Sequence, residues 1–513
     1  MKKCSKRLRA KAEIHSKVLK PQKLRKLSQR YGKPRWTFLS QNRDGILHLQ
    51  DISVEALAKK FGTPLYVVME SELRKRFRRF REAFSSYPKL RPQYACKINT
   101  NLEVMRIARE EGFEIDASSV GEIILAMLAD FRPDQITFTN LYKTEQDIQF
   151  AAEVGVQAIT ADSFEEIEKI IHVGEKLRKT INLFIRVNPM LKLGNYSTRD
   201  HQYGIPYPYA KRAIRNAVKS EWINFKGIHT HGGYIFTPKI YMAAAKKLLP
   251  LLKFARSLGA TPDMIDLGGG FPADYSYRKS FTPEDMGKPF IRYFRKLVAG
   301  LGIPLPTLIF EPWKFIATNA MVGLIKVVSC KKLGAKPLVI TDGATYGFLP
   351  DILIYHWRYD ILPANKLMKP RSRRYTIAGC TCDSINIISK NYFMPTLEAG
   401  DLLAIMDVGA YSNVMASNFN TLKRAPMVMI KEDGTAKLIR RRDRYSEMFA
   451  PELDVLKMAD PKELKNFYDL HRRDIDKIWK GNVAAQGSTA EGSNGGENGG
   501  ETNSEASGAS PER

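Results

Sequence analysis

The sequence predicts an α/β fold: a closed (β/α)8 barrel of the TIM type, joined to a C-terminal antiparallel β domain. Two observations carry this reading. Short β-branched or apolar runs recur eight times with helix-patterned stretches between most neighbours, and beyond about residue 330 strands continue without long helices between them. The eight strands are expected at 92–97, 114–117, 136–139, 157–161, 182–188, 225–231, 263–267 and 306–310. Helices are expected at 101–112, 120–130, 144–154, 164–178, 208–219, 238–258 and 283–300. Eight such units in one compact stretch suit a closed barrel better than an open sheet. Later strands are expected at 337–341, 375–378 and 402–407, which reads as a separate antiparallel domain. A strand-like run at 64–69 precedes the first barrel helix and is assigned to that later sheet.

These elements divide the chain into six segments: a basic N-terminal arm at 1–45, a connecting segment at 46–80, and the barrel at 81–325. The β domain follows at 326–450, then a helical segment at 451–482 and a polar, glycine-rich tail at 483–513, expected to be disordered. A length of 513 residues suits two cores, and no apolar run approaches the roughly 20 residues needed to cross a bilayer. The five cysteines are too scattered for a disulfide framework, which agrees with a reducing, cytoplasmic setting. Net charge is +27, from 81 Lys plus Arg against 54 Asp plus Glu. Much of that excess lies in the first 35 residues, at 369–374 and at Arg440-Arg441-Arg442, a distribution that suits solvated tails and faces better than a nucleic-acid site. Nucleic acid stays open as a partner only for the basic arm, and no membrane partner is expected.

In a barrel enzyme the reactive groups gather at the C-terminal ends of the strands. Here those ends carry Lys97, Asp116 with Glu122 beyond it, Arg186 with Asn188, His231, the turn Gly268-Gly269-Gly270, and Glu311. The set offers an amine nucleophile, an imidazole, carboxylates and a glycine turn whose backbone N–H groups can approach an anion. A lysine for an imine, a phosphate cradle and an acid for a pyridine nitrogen are what pyridoxal phosphate requires. Each residue also has a plainer reading: a solvated strand-end lysine, a core histidine, a first-turn helix acid at Glu122, a core aromatic at Tyr411. Cys380-Thr381-Cys382 lacks the second ligand pair of a zinc site, so no metal is expected.

Seven motifs occur in order: Tyr94-Ala95-Cys96-Lys97-Ile98-Asn99, Asp116-Ala117-Ser118-Ser119-Val120-Gly121-Glu122, His229-Thr230-His231-Gly232-Gly233, Asp266-Leu267-Gly268-Gly269-Gly270-Phe271-Pro272, Glu311-Pro312, Cys382-Asp383-Ser384 and Gly409-Ala410-Tyr411. From about residue 50 to about 450 the chain resembles the diaminopimelate and ornithine decarboxylases, pyridoxal-phosphate enzymes with an alanine-racemase-like barrel. The resemblance implies a homodimer with shared active sites and a small-molecule amino-acid substrate. It implies Lys97 as the Schiff-base lysine, Glu311 against the pyridine nitrogen, and His231 stacked on the ring. Asp116 and Glu122 would flank the site, Arg186 and Tyr411 would lie toward the phosphate, and Cys382 of the partner subunit would return a proton. Asp383 and Lys314 would face the substrate.

Two departures stand out. The family has Glu-Pro-Gly-Arg where this chain has Glu311-Pro312-Trp313-Lys314, and Tyr234 replaces a serine after the histidine motif. A second distal arginine of diaminopimelate decarboxylases aligns with Pro350, so the bidentate carboxylate clamp is missing, whereas Asp383, helped by Asp351, would suit a terminal ammonium. Meso-diaminopimelate and lysine or ornithine, in either enantiomer, therefore compete as substrates. A non-catalytic regulatory relative and a barrel racemase are the alternatives; retention of Lys97, Glu311 and Cys382 counts against the first, and Cys382-Asp383-Ser384 against the second. Deleting residues beyond about 483 is expected to leave activity and Tm nearly unchanged, because so polar a segment buries little apolar surface. A large fall in Tm on truncation would contradict it.

Overall fold

The computed structural model describes residues 29–30, 33–34, 36–273, 281–333 and 336–459. Most of the basic arm, the helical segment beyond 459 and the tail from 483 lie outside them. Residues to Asp443 form one compact unit and those from Arg444 a second, whose described part is two short helices, Tyr445–Met448 and Ala450–Ala459.

Eight parallel strands close into a barrel in the order in which they occur in the chain: Leu90–Ala95, Glu114–Ala117, Ile136–Thr139, Ala158–Ala161, Ile181–Asn188, Ile223–His229, Met264–Asp266 and Thr307–Phe310. Closure comes from Leu308–Phe310 pairing with Leu90–Pro92. Helices return the chain between strands, most starting at an oxygen-bearing cap. Ser119, Thr144, Ser163 and Thr282 each accept a hydrogen bond from a backbone N–H of the first turn, satisfying donors that have no partner within the helix. Two expected strands end two residues early. The first stops at Ala95 and turns into a 3₁₀ segment, Cys96–Ile98, so Lys97 sits just beyond the strand. The sixth stops at His229, which leaves His231 on the loop above it.

The second layer corrects the antiparallel expectation, because its sheet is mixed. Lys336–Thr341 and Arg373–Ala378 run parallel, as do Leu65–Met69 and Met427–Ile430, while the remaining pairings are antiparallel. One face of this sheet shares the barrel's core, since Val339, Tyr375, Ile377 and Leu403 belong to the same buried cluster as the barrel interior. The other face, with Val67, Val322, Leu402, Ala404 and Val428, packs with Trp36, Leu47 and Leu49 into a second buried cluster. Leu65–Met69, buried at every position, lies between Met321–Leu324 and Met427–Ile430 before the chain enters the barrel. The basic arm also ends earlier than expected. Trp36 and Phe38 are buried, the indole of Trp36 donates to Asp407 at 2.8 Å, and Leu39–Gln41 starts a small three-stranded sheet. A short polar stretch hides these two aromatics from a reading by composition.

Much of the positive charge on the helix that leads into the barrel, Glu70–Ala83, is neutralised within the fold. Arg74 pairs with Glu70 at 2.8 Å and with Glu111 at 3.1 Å, and buried Arg76 pairs with Glu72 and donates to the Phe315 carbonyl at 3.1 Å. This helix packs so closely on Pro283–Leu301 that a Cβ at Gly287 would collide with the Ala83 carbonyl oxygen. At Gly300 on the same second helix nothing stands within 4 Å. Gly287→Ala should therefore destabilise by about 1–3 kcal/mol through overpacking, and Gly300→Ala should stabilise by up to about 1 kcal/mol through helix propensity. Urea denaturation of the two variants checks the pair; equal effects would contradict the close packing.

Candidate active site

The rim of the barrel brings Lys97, Asp116, His229, His231, Glu311 and Tyr411 together. Lys97 Nζ lies 3.2 Å from Asp116 Oδ2 and 3.9 Å from Glu311 Oε2. Its side chain is one-third exposed (33%), whereas both carboxylates are buried, so the amine is the member of the group that a ligand can reach. Burial works against the charged amine, but Asp116 and Glu311 outweigh it and hold the lysine above its ordinary range. Asp116, in turn, is pushed up by burial and by Glu311. Glu311 Oε1 is 3.1 Å from Nε2 of His229, a ring that burial keeps well below the usual imidazole value and hence neutral at neutral pH.

His229, Asp266 and Glu311 present ligand atoms within 4.8 Å of one another. Asp266 accepts the Gly268 N–H at 2.7 Å, and burial, then Glu311, raises its carboxyl well above the ordinary range. A neutral acid, a neutral imidazole and one carboxylate suit a shared-proton network behind Lys97 better than a cation site. The motifs carry His229 and Asp266 without giving them a role, although each is the last residue of its strand.

The flanking residues divide. Burial keeps His231 neutral; its Nδ1 is buried without a partner, and its ring meets Tyr203 edge-on at 5.9 Å. Arg186 pairs with Asp162 at 3.2 Å and lies 4.6 Å from the Tyr203 ring, contacts that the motifs did not suggest. Glu122 folds back to accept the Ser118 N–H at 2.6 Å, a first-turn helix acid raised to about 6 by burial. Tyr411 holds a left-handed φ of +71°, fixed by its N–H donating to Ile98 O at 3.0 Å, directly after the lysine. Gly409 permits the approach, because a Cβ there would strike the Ala317 carbonyl. Lys314 Nζ sits among aromatic rings, 4.2 Å from Tyr234 and 5.2 Å from both Trp313 and Trp357.

Gly268-Gly269-Gly270 forms the turn after the seventh strand. Its first and third residues have φ of +68° and +104°, and a Cβ on the middle one would fall 2.8 Å from Glu311 O. This narrow turn, the exposed amine across the rim, the carboxylate beside it and the unpartnered ring nitrogen of His231 fit pyridoxal phosphate: an amine to carry it, an acid for its ring nitrogen and a cradle for its phosphate. Cys382 and Asp383 are not part of this cluster. They lie on the exposed loop before Ile387–Met394, where Cys382 N–H donates to Asn420 Oδ1 at 3.2 Å and Asp383 accepts from Tyr346 Oη at 2.6 Å. Asp351 is no open acidic wall either; it is buried, raised to about 6 by that burial, and accepts the Tyr359 hydroxyl.

The comparisons agree with this arrangement. The family described as pyridoxal-dependent decarboxylase, pyridoxal binding domain, matches residues 70–318. A diaminopimelate decarboxylase of Archaeoglobus fulgidus is 30% identical over 411 residues, spanning 79% of this chain and 96% of that protein. One from Staphylococcus aureus is 31% identical over 419 residues, spanning 79% and 97%. The crystal structure of diaminopimelate decarboxylase from M. jannaschii in co-complex with L-lysine superposes with a TM-score of 0.74 at 27% identity, covering 81% of this chain and 98% of that one. With its barrel, its rim lysine and these relatives, the chain belongs to the pyridoxal-phosphate-dependent diaminopimelate and ornithine decarboxylase family.

Proposed function

We propose that this enzyme decarboxylates a diamino acid, with meso-diaminopimelate as the substrate, on pyridoxal phosphate carried by Lys97. The observation that carries the reading is the half-buried Lys97 amine held between Asp116 and Glu311 at the mouth of the barrel. When bound, the cofactor supplies an electron sink for the pair left behind as carbon dioxide departs. Everything else falls to the chain. Lys97 would hold the cofactor through its amine. Glu311, braced by His229, would keep a proton at the pyridine nitrogen. Neutral His231 would lie toward the ring without adding a second charge there. Tyr411, Arg186 and the glycine turn would serve the phosphate, with Asp116 and Glu122 flanking the amine.

For the distal end of the substrate, Lys314 is a cation beside Tyr411 and Trp313, which favours a carboxylate. The relatives' activity points the same way. Asp383, the competing acidic group, would reach a site only on a partner subunit. Exposed Ile385, Phe419 and Leu422 stand near it in the chain or in contact with its loop, which supports a homodimer in which Cys382 and Asp383 complete the neighbouring site. Among the described residues no helix is long and apolar enough to cross a membrane. The free thiols of Cys96, Cys330, Cys380 and Cys382 support a reducing, cytoplasmic setting.

Lys97→Ala is expected to abolish the visible absorbance of lysine-bound cofactor while leaving the far-UV circular dichroism unchanged; surviving absorbance would assign the lysine elsewhere. In a panel of meso-diaminopimelate and both enantiomers of lysine and ornithine, diaminopimelate should lead in kcat/KM. Lys314→Met should cost it on the order of 30-fold or more, the usual loss for a charge-paired contact. If lysine or ornithine leads and Asp383→Ala reverses the order, the acidic group sets specificity instead. Mixing Lys97→Ala and Cys382→Ala proteins under exchanging conditions should restore about a quarter of wild-type activity through hybrid dimers. No recovery despite proven exchange rules out shared sites.

A further inference from the structure

We propose that the indole N–H of Trp313 is a ligand for the cofactor phosphate, donated beside the glycine turn. The proposal rests on the cofactor reading above and adds to it a residue that is otherwise only a departure from the family motif. Trp313 follows the eighth strand and the glycine turn follows the seventh, the two loops between which barrels commonly bind phosphate. Backbone hydrogen bonds tie those loops together: Glu311 N–H donates to Gly268 O at 3.0 Å, and Trp313 N–H donates to Glu311 O at 2.8 Å.

The indole lies directly on the turn. A Cβ at residue 269 would collide with Trp313 Nε1 and stand 2.6 Å from its Cδ1, so glycine at 269 is required by the indole itself. From behind, Tyr241 Oη donates to Gly269 O at 2.9 Å and fixes that peptide. Trp313 is only 5% exposed, and its Nε1 is buried with no hydrogen-bond partner. An indole nitrogen can donate but not accept, so what completes it must be an acceptor. The turn beside the indole lies where barrels commonly bind phosphate, which makes a phosphate oxygen the fitting acceptor. A buried unpaired donor and a Cβ-free turn therefore meet at the rim. The indole stands where the family has glycine, so it adds a side-chain donor that the family motif lacks.

The test compares pyridoxal phosphate with pyridoxal, which lacks the phosphate. Dissociation constants are measured by absorbance titration on wild type, Trp313→Phe and Trp313→Gly. Trp313→Phe, which keeps the ring face and removes the donor, should weaken pyridoxal phosphate about tenfold and leave pyridoxal within twofold. In wild type, one of the five indole N–H signals in an ¹⁵N-tryptophan spectrum should move on adding pyridoxal phosphate and stay in place with pyridoxal. Equal losses for both ligands, no loss, an unmoved indole signal, or tighter binding of pyridoxal phosphate to Trp313→Gly would each overturn the proposal, the last by showing that the indole blocks the cradle. A wild type that takes up neither ligand overturns the cofactor reading itself, a separate and recognisable failure.

Discussion

The pairing of Leu308–Phe310 with Leu90–Pro92 is the constraint on which the site depends. Only a closed ring brings the end of the eighth strand beside the end of the first, and only then can Glu311 stand next to Lys97. An open sheet with the same strands would leave those two groups at opposite edges. Closure also buries Asp116, Asp266, His229 and Glu311 together, and in that low-dielectric setting each charge must be matched or given up. The chain does both: the imidazoles and Asp266 are held neutral, while the rim amine keeps its charge against carboxylates.

Much of this was legible in the sequence. Strand and helix periods gave the eight units in order, because parallel strands buried on both faces read as apolar runs and their helices as amphipathic ones. Lys97 and Glu311 were legible because each follows such a run directly. The sheet beyond the barrel was less so. Whether Lys336–Thr341 lies parallel or antiparallel to its neighbour depends on how the connecting chain crosses, which alternation alone does not encode. Trp36 and Phe38 were hidden by the basic residues before them, and the indole of Trp36 is held by a partner, Asp407, far away in sequence.

The site residues divide along the same line. Among the residues at strand ends, Asp116 was found while His229 and Asp266 were passed over; the loop contacts of Tyr203 with Arg186 and His231 were missed, since no period links them. Asp351 reads as an available acid in sequence and proves to be engaged by Tyr359, a pairing that only the folded loop creates.

The path of Leu65–Met69 has a consequence for how the chain is made. This buried strand leaves the ribosome before any of the barrel, yet its neighbours on both sides, Met321–Leu324 and Met427–Ile430, are synthesised after it. During translation the barrel can close while the first strand of the second layer waits with both edges unpaired. An apolar segment of five residues with free edges is a template for wrong pairing. Vectorial synthesis thus leaves this enzyme most exposed to misassembly late, after its catalytic barrel has formed and before its last strands emerge.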